Sequence, residues 1–218
     1  MSALLDRRLL FVTGKGGTGK TTAAAALADL AVRAGRRVLV VEMDAKGAIA
    51  AAFEVDALGF EPVEASPGLW LMAMNTEDSL REYLRVVARV PLVGRIGPLA
   101  RTFDFVADAA PGVKEILAIG KVCWEVRERH YDLVIVDSPP LGAVTDSLLI
   151  AQRTDEIIYV CRFNRAYKKH IRLYVKALRS GRNEVLGIVL NGLSPRRIEY
   201  YSNYRYYRSY KKYYGSQS

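Results

Sequence analysis

Leu9-Leu10-Phe11-Val12-Thr13-Gly14-Lys15-Gly16-Gly17-Thr18-Gly19-Lys20-Thr21-Thr22 carries an apolar run into a glycine loop and out into an alanine-rich segment. The loop has the spacing G-x-x-x-x-G-K-[ST]. It stands where that spacing has a mechanism, after a strand pattern and before a helix pattern. Glycines let the backbone curl so that successive N–H groups point inward at a phosphate. Lys20 then reaches the β and γ oxygens of a nucleotide, the Thr21 hydroxyl ligates Mg2+, and the helix start adds its positive end. The expected ligand is ATP with Mg2+, held by Gly14, Lys15, Gly16, Gly17, Thr18, Gly19, Lys20, Thr21 and Thr22. A glycine-rich turn without a ligand is the bland alternative, and the strand before it and the helix after it weigh against that reading.

Outward from the loop, short β-branched runs alternate with longer helical patterns, the signature of βαβ units around a parallel sheet. Strands are predicted near 9–13, 38–42, 69–74, 133–137, 156–162 and 186–190. Helices are predicted over 21–34, from a cap at Thr76, from Pro111-Gly112 to about Arg129, and over 166–179 with Ile171, Leu173, Val175 and Leu178 turned inward. The stretch 91–108, with two prolines and two glycines among apolar residues, reads as a broken helix or a flap. The fold class expected is α/β, a three-layer and mostly parallel sheet with helices on both faces, as in P-loop NTPases. One domain over 1–199 precedes a tail over 200–218, where tyrosines alternate with basic and small polar residues and leave nothing to build a core. That tail is expected to be disordered.

Two strand ends supply acids. Val40-Val41-Glu42-Met43-Asp44 puts Glu42 and Asp44 on one side of an extended segment, where one of them can position an attacking water or hydroxyl. Leu133-Val134-Ile135-Val136-Asp137 delivers a single carboxylate from a buried strand, which suits the water shell of a bound Mg2+. Asp137 is the expected metal-shell acid, beside Thr21.

Bulk properties bound the rest. The chain has 218 residues, is 50% hydrophobic and carries a net charge of +9, concentrated after Arg162. Its apolar runs fall well short of the roughly 20 residues of a membrane helix, and residues 1–14 lack a leader's pattern. A cytoplasmic protein with no integral membrane segment is expected. Cys123, Cys161, His130 and His170 have no metal-ligand spacing, so buried thiols and no structural metal are predicted.

Lys15 gives the loop the form K-G-G-x-G-K-T, which resembles the deviant Walker A loop of MinD/ParA-like, signal-recognition-type P-loop ATPases. The resemblance implies a homodimer that sandwiches two ATP molecules, with Lys15 reaching the partner's nucleotide. It also implies that Asp44 is the last acid of the second-strand pattern, and that Asn191, in Val189-Leu190-Asn191, reads the base edge. Residues 1 to about 130 resemble the arsenite-pump or anion-transporting ATPases. The likeness is carried by Leu10-Phe11-Val12-Thr13-Gly14-Lys15-Gly16-Gly17, by Val41-Glu42-Met43-Asp44-Ala45-Lys46-Gly47, and by Phe103-Asp104-Phe105-Val106 with Pro111-Gly112-Val113-Lys114-Glu115. Residues from about 131 resemble the bacterial tyrosine kinases of polysaccharide export, through Asp137-Ser138-Pro139-Pro140, Ala143-Val144-Thr145-Asp146, Val185-Leu186-Gly187-Ile188-Val189-Leu190-Asn191 and the tyrosine cluster. A change of ancestry near 131, as in a recombined or designed chain, is the expectation. The front half lacks the kinases' D-x-D-x-R, and Ser138-Pro139-Pro140 replaces the pump ATPases' switch.

Three functions follow. The first is an ATPase whose cycle switches a dimer, with Lys15, Lys20, Asp44 and Asp137 as the catalytic set. The second is a tyrosine kinase, in a dimer or a ring, that phosphorylates its own Tyr200, Tyr201, Tyr204, Tyr206, Tyr207, Tyr210, Tyr213 and Tyr214. A membrane-protein activator is a further partner for either. The third, a nucleic-acid binder using basic residues interleaved with aromatics, is disfavoured because no stacking platform accompanies them.

Overall fold

The computed structural model describes residues 2–44, 46–74, 113–141, 154, 156–179 and 184–194. Its elements are α1 (Ser2–Leu5), β1 (Leu9–Gly14), α2 (Lys20–Arg33), β2 (Val38–Glu42), α3 (Ala48–Ala52), β3 (Val63–Ser66), β4 (Leu69–Ala73), α4 (Val113–Glu128), β5 (Leu133–Asp137), β6 (Glu156–Arg162), α5 (Lys168–Leu178) and β7 (Glu184–Asn191). The strands form one sheet in the order β3-β4-β2-β5-β1-β6-β7, parallel throughout except that β3 runs antiparallel to β4. β2 and β5 are buried along their whole length. Continuous Val/Ile/Leu runs such as theirs are what a strand covered on both faces requires.

Alternation along the strands feeds two cores. Phe11, Leu39, Val41, Val134, Val136 and Tyr159 face the layer of α4 and α5, and Tyr159 stacks on Tyr174 of α5 with centroids 6.5 Å apart. Leu10, Val12, Val38, Val40, Leu133 and Ile135 face α1, α2 and α3. α2 buries Ala24, Ala28 and Ala31. Small side chains at that spacing let the helix lie close to the sheet and carry the loop before it onto the ends of β1 and β5. Burial of the tyrosine hydroxyls on the other face pushes Tyr131 and Tyr159 up to about 12, so both are neutral at ordinary pH.

The strands expected from sequence are present within two residues at each end. β3, α1 and α3 are additions; Val63-Glu64-Ala65-Ser66 has too little apolar alternation to signal a strand, and it exists as an edge because β4 offers it an open ladder. Two expectations are corrected. Leu173 is 61% exposed, and Tyr174 occupies the inward place with Ile171, Val175 and Leu178, which complete the i, i+3, i+4, i+7 stripe that Leu173 falls outside. Cys123 is exposed whereas Cys161 is buried. Val122 holds the inward position on α4, and the next residue is turned about 100° away from it. The helix expected from Thr76, the 91–108 stretch and the 200–218 tail lie outside the described residues. Among the described residues no helix is long and apolar enough to cross a membrane, and no cluster of His, Cys, Asp or Glu would hold a metal by itself.

Candidate nucleotide-binding site

Strand order places the loop. β1 lies between β5 and β6, and the register sets Asp137 beside Val12 on one side and Glu42 on the other. The C-terminal ends of β1, β2 and β5 therefore open onto one rim, where ligands of open α/β sheets bind. Gly14 ends β1 so close to β6 that an added Cβ would run into the Val160 carbonyl oxygen. At Gly19 the backbone turns left-handed, with φ 89°, and a Cβ there would overlap the Asn191 amide. Both positions need glycine.

The loop is braced from several sides. The Thr18 hydroxyl donates to the Lys15 carbonyl at 2.8 Å. Asn191 Nδ2 donates to the Thr18 carbonyl at 3.0 Å, and Asn191 Oδ1 accepts the Gly192 N–H at 2.7 Å. Arg162 reaches the Gly17 carbonyl at 3.4 Å, and the Leu141 N–H donates to the Gly14 carbonyl at 2.9 Å. Lys15, Gly16, Gly17 and Thr22 are exposed, Thr21 is half-buried, and Thr18 and Lys20 are buried. Burial holds the Lys20 ammonium below its ordinary pKa, while the carboxylates of Asp137 and Asp44 act against that shift.

The acids separate into two roles. The Thr21 hydroxyl donates to Asp137 Oδ2 at 2.6 Å, whereas Asp137 Oδ1 is buried with no partner. Burial lifts the Asp137 carboxyl to about 6; the Thr21 hydrogen bond and Lys20 oppose the shift, and Glu42 and Asp44 add to it. A buried carboxylate oxygen with nothing to bind is an open acceptor, and a hydroxyl beside it completes the donor pair that suits a Mg2+ retaining several waters. The residues present fit that ion. Asp44 is more exposed and paired with Lys46.

Glu42 does something that the sequence did not indicate. It is 2% exposed, and its carboxylate accepts the N–H groups of Lys46 and Ala48 at 3.0 and 2.9 Å and that of Ile49 at 3.2 Å. It therefore shapes the turn that carries Asp44. The signal available was an acid closing a fully apolar strand, which is costly unless donors meet it. Glu42→Ala should lower stability by about 3 kcal/mol in urea titration, because three N–H groups lose their acceptor. The tyrosines of the tail lie outside the described residues.

A profile of the anion-transporting ATPases matches residues 7–190. The chain belongs to that family. As an anion-transporting ATPase homologue it is 32% identical to ATPase BagA of Mycobacterium tuberculosis over 167 residues, which cover 72% of this chain and 49% of BagA. It thus spans about half the length of that relative. Kinship with kinases is also found. The putative tyrosine-protein kinase EpsB of Ralstonia nicotianae is 32% identical over 200 residues, 87% of this chain and 24% of EpsB. The kinase domain of VpsO superposes with a TM-score of 0.61 at 20% identity, covering 88% of this chain and 87% of that one. The Escherichia coli tyrosine kinase ETK gives 0.60 at 20% identity, over 87% of this chain and 69% of that one. These two show a shared fold. The family match runs through Tyr131 without a break, and the EpsB match is too long to fit beyond it. The ATPase and kinase likenesses therefore overlap along one sheet, where the sequence had suggested that they meet.

Proposed function

We propose that this chain binds Mg·ATP in the 14–22 loop and hydrolyses it as a nucleotide-switched homodimer in the cytoplasm. The observation that carries the reading is Asp137, tied to Thr21 through one oxygen while its other oxygen is buried and unpartnered beside the loop. Backbone N–H groups of the loop and the start of α2 bind the phosphates, and Lys20 draws charge from the β and γ oxygens. Thr21 and Asp137 would hold Mg2+, which supplies neutralisation of the phosphate charge. Asp44, on the turn shaped by Glu42, orients the attacking water and accepts its proton. A water oxygen–phosphorus bond forms as the bond between the γ-phosphorus and the β,γ-bridging oxygen breaks, and ADP leaves. Asn191 borders the base side while it braces Thr18, and its remaining amide hydrogen and lone pair are open to a purine edge.

Lys15, exposed at the mouth of the loop, would act on the partner's nucleotide. Mixing tests this directly. Lys15→Ala and Lys20→Ala chains should each be inactive alone, yet their equimolar mixture should recover turnover, because a mixed dimer restores one complete site. A mixture as inactive as its components would place Lys15 in its own site, or the dimer out of the account.

The EpsB kinship, extending over 87% of this chain, favours a second reading. In it the phenol of a residue among Tyr200, Tyr201, Tyr204, Tyr206, Tyr207, Tyr210, Tyr213 and Tyr214 replaces water as the acceptor, with a membrane-protein activator controlling the cycle. Phosphoryl transfer is mostly positioning and charge stabilisation, so one loop serves either acceptor.

A further inference from the structure

α5 is amphipathic in an unusual way. Its inner stripe of Ile171, Tyr174, Val175 and Leu178 fastens it to the sheet. Its outer surface carries Lys168, Lys169, Arg172 and Lys176, with Arg179 at the cap. The sequence from Arg162 to Arg179 contains no Asp or Glu, and none of these five cations pairs with a carboxylate among the described residues. A solvated face would be expected to stop there. Instead Leu173, 61% exposed, stands between Lys169 at i−4 and Lys176 at i+3, and Tyr167, 76% exposed, stands at the start of the helix.

We propose that the outer face of α5 docks on an anionic lipid surface. The cations meet the headgroup charge, while Leu173 enters the boundary between headgroups and acyl chains. Charge complementarity selects an anionic partner, and the exposed apolar side chain that borders the cations selects lipid over nucleic acid. Leucine gains nothing against a phosphate backbone, whereas it gains transfer free energy in an acyl layer. The helix is already folded on the sheet, so docking carries no ordering cost for its backbone. None of these residues belongs to the nucleotide loop, and the inference is independent of the reaction assigned there.

The test is co-sedimentation of the full chain with phosphatidylcholine vesicles, alone or with roughly one-third phosphatidylglycerol. Binding is expected to the anionic vesicles and to fall as salt rises. The variant Lys169→Glu/Arg172→Glu/Lys176→Glu should bind them on the order of a hundred-fold more weakly. Leu173→Ala should lose several-fold while keeping the salt dependence. Both variants should bind ATP as the parent does, which separates loss of docking from loss of fold. Equal binding to neutral vesicles, or a triple variant that sediments like the parent, overturns the proposal. So does a Leu173→Ala chain with parental affinity whose binding is fully competed by single-stranded DNA, since that is the behaviour of a nucleic-acid surface.

Discussion

Lys20→Ala should lower ATP affinity by about a hundred- to several-thousand-fold while leaving the fold in place. The side chain is 9% exposed, and burial already penalises its charge. It remains in the loop because Asp137 and Asp44 offset that cost and because a phosphate would complete the pairing. Truncating one member of a buried charge contact typically costs about 3–5 kcal/mol, which is the fold-change expected here. The free protein loses a desolvated charge and keeps α2, whose sheet contact is made by Ala24, Ala28 and Ala31. Its melting temperature should therefore match or exceed that of the parent. Calorimetric titration with Mg·ATP, paired with a thermal melt, checks both halves.

Asp137→Asn should separate binding from turnover. Asparagine keeps an oxygen for the Thr21 hydroxyl but removes the charge that would face the proposed Mg2+. Turnover should fall on the order of a thousand-fold, with ATP binding reduced far less. The free protein should gain stability at the same time. The Asp137 carboxyl ionises at about 6 in the fold against a reference of 3.8. For an acid raised in this way the folded state holds the proton more tightly, so its contribution is complete below pH 3.8 and lost as pH climbs through about 6. At neutral pH the parent carries a penalty of up to about 3 kcal/mol, which the amide avoids. Urea titrations at pH 5 and pH 8 should show the variant's advantage widening with pH. A parent that is more stable than the variant at pH 8 would mean that Asp137 already has a partner in solution.

Much of this architecture was legible in the residues. Val38–Glu42 and Leu133–Asp137 are read to their ends because strands buried on both faces must be apolar throughout and must stop at an acid or a turn. The loop is legible because its glycines answer to backbone geometry that no other residue meets. What stayed hidden was set by neighbours distant in sequence. Glu42 reads as an alternative to Asp44 for positioning the attacking water until three N–H groups from the following turn are seen to occupy its carboxylate. Asn191 reads as a base contact, and its bond to Thr18, 173 residues away, emerges only when β7 is laid against β6. Leu173 and Tyr174 differ by one helical step, and hydrophobicity favours the wrong one. The stacking of Tyr174 on Tyr159 decides which faces the sheet.

In the proposed reaction Asp137, Lys20 and the loop hydrolyse ATP. The most direct test incubates the purified full chain with Mg·ATP, then measures free phosphate and the intact protein mass in the same sample, with Lys20→Ala as the control. Phosphate should accumulate with the parent alone, and the protein mass should stay unchanged. Phosphate-sized increments on the parent's mass, with little free phosphate, would contradict hydrolysis and make the chain a kinase of its own tyrosines.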